Sequence, residues 1–131
     1  MGSWSTPSTL RVKTSGGPGY GGVSYYVGKQ DWSGYETLAW EIWNPGKAFT
    51  LGIRIDDDGD VSTARSRYAS SVEVKRGENA YAIPLEKVRT GAETRLVNLE
   101  AIRRILFYTD DNSPPQVFFV DGLRLEKKAE G

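Results

Sequence analysis

Apolar and polar residues alternate with a period of two through most of this chain, in short runs cut by glycine, proline, asparagine and aspartate. That is the pattern of strands buried on one face. Leu38, Trp40 and Ile42 share one parity and Ala39, Glu41 and Trp43 the other, before Asn44-Pro45-Gly46 turns the chain. Leu51, Ile53 and Ile55 repeat the pattern, with Thr50, Arg54 and Asp56 on the opposite parity, up to the acidic turn Asp57-Asp58-Gly59-Asp60. The first set of each run faces the core, and the two runs read as a hairpin. Tyr68, Val72 and Val74 predict the next strand, Arg76-Gly77-Glu78-Asn79 a turn, and Tyr81-Ala82-Ile83 another strand limited by Pro84. Residues 105–109 and 116–125 read as paired late strands joined by Asp110-Asp111-Asn112-Ser113-Pro114-Pro115, and Leu10-Arg11-Val12 and residues 23–27 add two more. Residues 85–89 and 99–103 each hold a helical turn, too short for a sustained 3.6-residue period. About eight short strands at this spacing predict an all-β, antiparallel two-sheet sandwich of jelly-roll type.

A length of 131 residues suits one domain with one core. Residues 1–8 read as a linker or vector-derived scar (Met1-Gly2-Ser3 ahead of Trp4), 9–126 as the β-sandwich domain, and 127–131 as a charged tail. Lysine plus arginine and aspartate plus glutamate number 17 each, so no general attraction to a polyanion is expected and nucleic acid is not a partner. Cysteine and histidine are absent, which excludes disulfides, thiolate nucleophiles, thiolate or imidazole zinc sites and histidine triads. No apolar run approaches the roughly 20 residues that span a bilayer, and the first residues lack the blocks of a signal peptide, so no membrane partner is expected. The missing cysteines fix no compartment.

Gly17, Gly19 and Gly22 match a lone G-x-G-x-x-G, but a β-rich stretch follows where a dinucleotide fingerprint needs a helix, so an inter-strand loop is the expectation. Aligning Gly59 with the glycine of an EF-hand loop puts Arg54 at the first ligand position and Arg65 at the closing glutamate. The acidic turn is therefore read as a solvated hairpin tip. No pair of carboxylates is marked for glycoside hydrolysis, and an enzyme here would need carboxylates alone for acid and base.

The four tryptophans and seven tyrosines are more than one small core hides, so some are expected at the surface. Trp43 is the sharpest case, since its parity matches Glu41 and opposes Trp40. Flat aromatic faces pack against the C–H faces of sugar rings, while arginine and aspartate satisfy hydroxyls. Trp43, Arg54 and Asp56 form a candidate site on this reasoning, with Tyr25 and Tyr108 as further candidates. The other reading of Trp43 is cover by a loop, or a parity shifted by a bulge.

Taken in order, Asp31-Trp32-Ser33-Gly34-Tyr35, Leu38-Ala39-Trp40-Glu41-Ile42-Trp43-Asn44 and Leu51-Gly52-Ile53-Arg54-Ile55-Asp56 are followed by Arg76-Gly77-Glu78-Asn79 and Ile83-Pro84-Leu85. Leu99-Glu100-Ala101-Ile102-Arg103-Arg104-Ile105 and Phe118-Phe119-Val120-Asp121-Gly122-Leu123-Arg124-Leu125 complete the series. This order resembles the galactose-binding-like jelly rolls. Within them it is similar to family 11 carbohydrate-binding modules and to the complex I intermediate-associated protein domain, from about Leu10 to Leu125. The resemblance implies a β-sandwich that recognises a glycan without catalysis, as part of a larger multidomain protein, in a secreted or cell-surface setting. It also implies that Asp121 helps to hold a structural calcium, although the strand near Leu10 carries no acidic partner for it; no other cofactor is required. The plainer reading of Asp121 is a buried aspartate satisfied by backbone N–H groups. By the same likeness Trp32 and Tyr35 are core or loop-anchoring residues.

The expected function is thus a non-catalytic carbohydrate-binding module for a polysaccharide, a β-glucan or related plant or algal glycan. The alternative is a protein-interaction β-sandwich without glycan binding, its outer aromatics and arginines meeting a protein partner.

Overall fold

The computed structural model describes residues 9–14, 21–110 and 114–127. The segment 1–8 with Trp4, Gly17 and Gly19 of the glycine motif, Asp111-Asn112-Ser113 and the tail after Lys127 lie outside them. Among the described residues, eight strands form two antiparallel four-stranded sheets: β1 (Leu10–Lys13), β2 (Gly21–Gln30), β3 (Thr37–Asn44), β4 (Phe49–Asp57), β5 (Tyr68–Val74), β6 (Gly77–Pro84), β7 (Ile102–Thr109) and β8 (Val117–Glu126). One sheet runs β1-β8-β3-β6 and the other β2-β7-β4-β5. The single helical turn α1 (Leu85–Arg89) follows Pro84, and a 3-10 turn over Leu99–Ala101 precedes β7. That second turn is shorter than predicted, because Ile102 pairs with Gln30 and already belongs to a strand.

The expected parity holds inside the sandwich. Leu38, Trp40 and Ile42 of β3 and Leu51, Ile53 and Ile55 of β4 are buried, and they meet Ile105, Phe107, Phe118 and Val120 in one core. Trp40 stacks on Tyr81 at 5.2 Å between centroids and tilts against Phe107 at 5.3 Å. Trp32 is also fully enclosed, with Nε1 donating to Gln30 Oε1 at 2.7 Å and its backbone N–H to Leu99 O. It anchors the turn between β2 and β3, as the family likeness implied.

Strand pairing differs from the sequence expectation. β3 and β4 lie in opposite sheets rather than in a hairpin, and so do β7 and β8. Asn44 braces the crossing in the first case. Its Oδ1 accepts from the Gly46 N–H at 2.9 Å, while Nδ2 donates to Lys47 O at 2.9 Å and reaches Val74 O in the other sheet at 3.5 Å. The turn is tied across the sandwich and delivers the chain there, so the apolar faces of β3 and β4 oppose one another through the core. Among the described strands, only β4 and β5 are neighbours in both sequence and sheet.

The acidic turn is not simply a solvated tip. Asp58, Gly59 and Asp60 are exposed, but Asp56 and Asp57 are each 3 % exposed. A register shift in the β4–β7 ladder pairs Asp56 with Arg104 and Asp57 with Ile102. Asp56 thus follows Arg54 onto the outer face, whereas Asp57 enters the end of the sandwich. There Asp57 takes a bidentate fork from Arg95 (2.7 Å and 2.7 Å) and the N–H groups of Asn98 (2.7 Å) and Gly59 (3.0 Å). Burial alone would raise the Asp57 carboxyl, but these donors outweigh it and hold it below the ordinary carboxylate value. The segment after α1 is thereby fastened to the end of β4.

Candidate functional site

The outer face of the β2-β7-β4-β5 sheet is built in cross-strand rows. The first joins Gly22, Tyr108, Gly52 and Ser71; the second Ser24, Leu106, Arg54 and Ala69; the third Tyr26, Arg104 and Asp56. Directly opposed residues share a face, so all of these side chains project from the same side of the sheet.

Tyr108 is flanked on both sides by glycine, and one of them shapes it. A Cβ added at Gly52 would meet Tyr108 Cζ, Cε2 and Cε1 together, the farthest at 2.7 Å. Three ring atoms at such similar separations mean that the ring lies face down over the β4 backbone at Gly52. An aromatic plate laid flat on a sheet is a stacking platform. On the opposite flank, Gly22 sits at φ +146°, a conformation that side chains rarely adopt, with Phe107 O directly in the way of any Cβ. The third glycine of the sequence motif serves this close strand approach, and no helix follows it.

Two rows away, Asp56 is clamped. Arg54 Nε donates to Oδ1 at 2.8 Å, and Arg104 donates to Oδ2 from Nε at 3.0 Å and Nη2 at 2.6 Å. With three charge-assisted bonds already made, Asp56 serves to aim two guanidinium forks more than to receive a ligand itself. Arg104 also donates from Nη1 to Tyr26 Oη at 3.2 Å and lies 5.6 Å from the centroid of that ring. Burial works against the Arg104 charge, yet its bonds to Tyr26 and Asp56 hold the guanidinium pKa above its ordinary value. Tyr26 is 74 % exposed. Arg54 Nη2 reaches Val61 O at 3.5 Å and Arg67 Nη1 donates to the same carbonyl at 3.1 Å, so the loop after β4 leans onto the sheet here. Two depressions result. One of about 250 Å³ is lined by Arg54, Arg67, Leu106 and Tyr108. The other, about 440 Å³, lies around Tyr26, Arg104, Val61 and the acidic turn.

The residues proposed from sequence are therefore not one cluster. Arg54, Asp56 and Tyr108 share this face. Trp43 is outward and 48 % exposed, as its parity required, but on the other sheet, in a row with Arg11, Phe119 and Glu78. The whole core separates it from Arg54 and Asp56, because β3 and β4 are not hairpin partners. Tyr25 points the other way from Tyr26: it pairs with buried Ile105, meets Phe107 edge-on at 6.1 Å, and burial pushes its phenol up to about 12. It packs, partly buried, against the core on the opposite side of the sheet from Arg54 and Asp56. Tyr26, Arg104, Arg67 and Gly52 were missed. Tyr26 was legible, since Val23, Tyr25 and Val27 already claimed the inward parity of β2.

Asp121 is exposed on the outer face of the β1-β8-β3-β6 sheet, not buried. Its Oδ1 accepts from the Gly122 N–H at 2.9 Å. The facing Glu41 takes Arg124 Nη1 on both oxygens, at 3.2 Å and 2.9 Å. Among the described residues no three acidic side chains gather where they fit an ion.

No protein-family profile and no curated protein matches the sequence. Solved structures do match in fold. A family 11 carbohydrate-binding module from Clostridium thermocellum, solved with a β-1,3-1,4-mixed-linked tetrasaccharide, has a TM-score of 0.72 at 19 % identity, covering 99 % of this chain and 90 % of that one. A family 30 module of a cellulosomal cellulase from the same organism has a TM-score of 0.68 at 16 % identity, covering 93 % and 76 %. An agarase has a TM-score of 0.74 at 15 % identity over 97 % of this chain but only 23 % of its own. The chain has the two-sheet fold of these modules, and in the agarase that fold is one part of a much longer protein.

Proposed function

We propose that this chain is a non-catalytic module that binds a polysaccharide across the outer face of the β2-β7-β4-β5 sheet. The observation that carries the reading is the Tyr108 ring held flat over Gly52, in line with the arginine pair that Asp56 aims. A ring plate stacks on a sugar's C–H face, and forked N–H donors take its hydroxyl oxygens. Tyr108 and Arg104 lie four steps apart along β7, roughly 14 Å at the rise of a strand, which gives an extended track instead of a closed pocket. Such a track suits a chain polymer gripped at several points. The fold neighbours lend support, one being solved with a β-1,3-1,4-mixed-linked tetrasaccharide and another lying within an agarase. A plant or algal glycan is accordingly the ligand class, the setting is secreted or at the cell surface, and the module tethers a larger protein to its polymer.

Catalysis is not part of the proposal. Of the carboxylates beside the track, Asp56 and Asp57 are tied into ion pairs with arginine and Asp58 lies near Lys29, and Asp57 is held below its ordinary range, the reverse of what a general acid requires.

Affinity electrophoresis against a panel of soluble plant and algal polysaccharides tests the reading. Retention by at least one of them, lost in Tyr108→Ala with the melting temperature unchanged, is the expected result. Absence of retention on every polymer sinks it. A second reading rests on one observation, the exposed Trp43 beside Phe119 on the opposite sheet, which suits a protein contact. Retention of a defined protein partner, lost in Trp43→Ala, would favour that reading.

A further inference from the structure

We infer that the glycan bound on this face carries anionic substituents, sulfate esters or carboxylates, read at the end formed by Arg54, Arg67 and Tyr108. This rests on the polysaccharide reading and narrows its ligand class. The chain as a whole is electrically balanced, with 17 basic and 17 acidic residues. The balance is not local. Three guanidiniums, those of Arg54, Arg67 and Arg104, stand around the carboxylate of Asp56, which spends both oxygens on Arg54 and Arg104, and the next carboxylate on this face, Glu73, lies one row beyond Tyr108 and does not line the depression. The depression of about 250 Å³ beside Tyr108 is lined by Arg54, Arg67, Leu106 and Tyr108, with no carboxylate among them.

The donors there are only partly used. Arg54 commits Nε to Asp56 and stretches Nη2 to a carbonyl at 3.5 Å. Arg67 gives Nη1 to that same Val61 carbonyl, and its Nε is buried without an acceptor among the described residues. Two like charges converging on one neutral oxygen repel one another, and in a half-buried setting water screens them poorly. An oxyanion between them removes that repulsion and matches the planar fork of each guanidinium, which a lone hydroxyl does not. The depression around Tyr26 is different: Asp58 lines it, within 3.6 Å of Lys29, so that end has mixed charge and suits the neutral part of the chain. Tyr108 lines the same depression as the two arginines, so a sugar held there lies within their reach.

The test compares a sulfated galactan with its chemically desulfated form, a polyuronate and a neutral mixed-linkage β-glucan, by affinity electrophoresis and calorimetry on the intact chain. The sulfated galactan or the polyuronate is expected to bind at least about tenfold more tightly than the uncharged polymers. Whichever of the two is preferred identifies the group as sulfate or carboxylate. Added salt is expected to weaken the interaction progressively. Arg67→Gln is expected to erase most of the preference, and Arg54→Lys, which keeps the charge but not the fork, to reduce it if the first variant does not fold. Arg11→Gln removes the same charge from the opposite sheet and is expected to leave retention unchanged. Equal binding of sulfated and desulfated polymer, or binding of the β-glucan alone, overturns the inference and leaves the polysaccharide reading standing. Retention of sulfated polymer that survives Tyr108→Ala undiminished also overturns it, because plain ion exchange then accounts for the result. Binding to none of the four polymers overturns both.

Discussion

Gly52→Ala separates the stacking platform from the fold that carries it. Gly52 is buried on the outer face of β4 with no left-handed φ, so an alanine suits the backbone, and the atoms nearest to its Cβ all belong to the Tyr108 ring. Ordinary carbon contacts begin near 3.5 Å, whereas three ring atoms stand within 2.7 Å, so the ring must lift by about 1 Å or more. The moving group is the end of a rotatable side chain, and rotation absorbs the shift without opening the sheet. The stability change is expected within about 1 kcal/mol, since a better strand residue offsets part of the crowding. The stacking of a sugar on a displaced ring is another matter: losing an aromatic contact of about 1–1.5 kcal/mol weakens binding roughly five- to tenfold. Calorimetric titration with a retained polysaccharide, run beside a melting curve, reads both quantities. Gly34→Ala is the control, for a Cβ there meets nothing within 4 Å. The double variant Gly52→Ala/Tyr108→Ala is expected to bind no worse than Tyr108→Ala alone, because both changes act on one ring. Unaltered binding in Gly52→Ala, or additive losses in the double variant, would refute the platform.

Tyr26→Ala is expected to weaken glycan binding several-fold with stability changed by less than about 0.5 kcal/mol, as the ring is largely in solvent; titration and melting check it. Trp43→Ala is expected to leave retention unchanged, and a loss of retention would move the site to the opposite sheet. Asp57→Asn is expected to cost about 3 kcal/mol near neutral pH, the low end for breaking a buried pair because Arg95 keeps some solvent contact. The folded Asp57 carboxyl titrates below its ordinary 3.8, so its contribution is complete above about pH 4 and fades as pH falls through the folded value. Chemical denaturation at a series of pH values should then show wild type and Asp57→Asn converging in acid, and a constant gap would exclude the charge as the cause. With no third acidic ligand near Asp121 among the described residues, the melting temperature is expected to be the same in calcium and in chelator; a higher value in calcium would reveal a bound ion.

What the sequence made legible is what depends on parity, and what it hid depends on pairing. Burial of Leu38, Trp40 and Ile42 and exposure of Trp43 follow from a strand's period of two, which is written in consecutive residues. Whether Trp43 and Arg54 share a face does not follow from it. That depends on whether Asn44-Pro45-Gly46 closes a hairpin or carries the chain to the other sheet, and the strands that β3 and β4 pair with instead lie far along the chain. The same holds for Arg104, which gains its role only because β7 runs between β2 and β4 and so places it between Tyr26 and Asp56. Tyr108 was within reach as a candidate, but its importance was not. The evidence for the ring's posture is an absence, the missing side chain at Gly52, and a glycine inside an alternating strand reads equally well as a bulge or a weak point. A face built from parallel rows thus draws each of its rows from strands remote in sequence, and its chemistry is set by which rows the topology lays side by side.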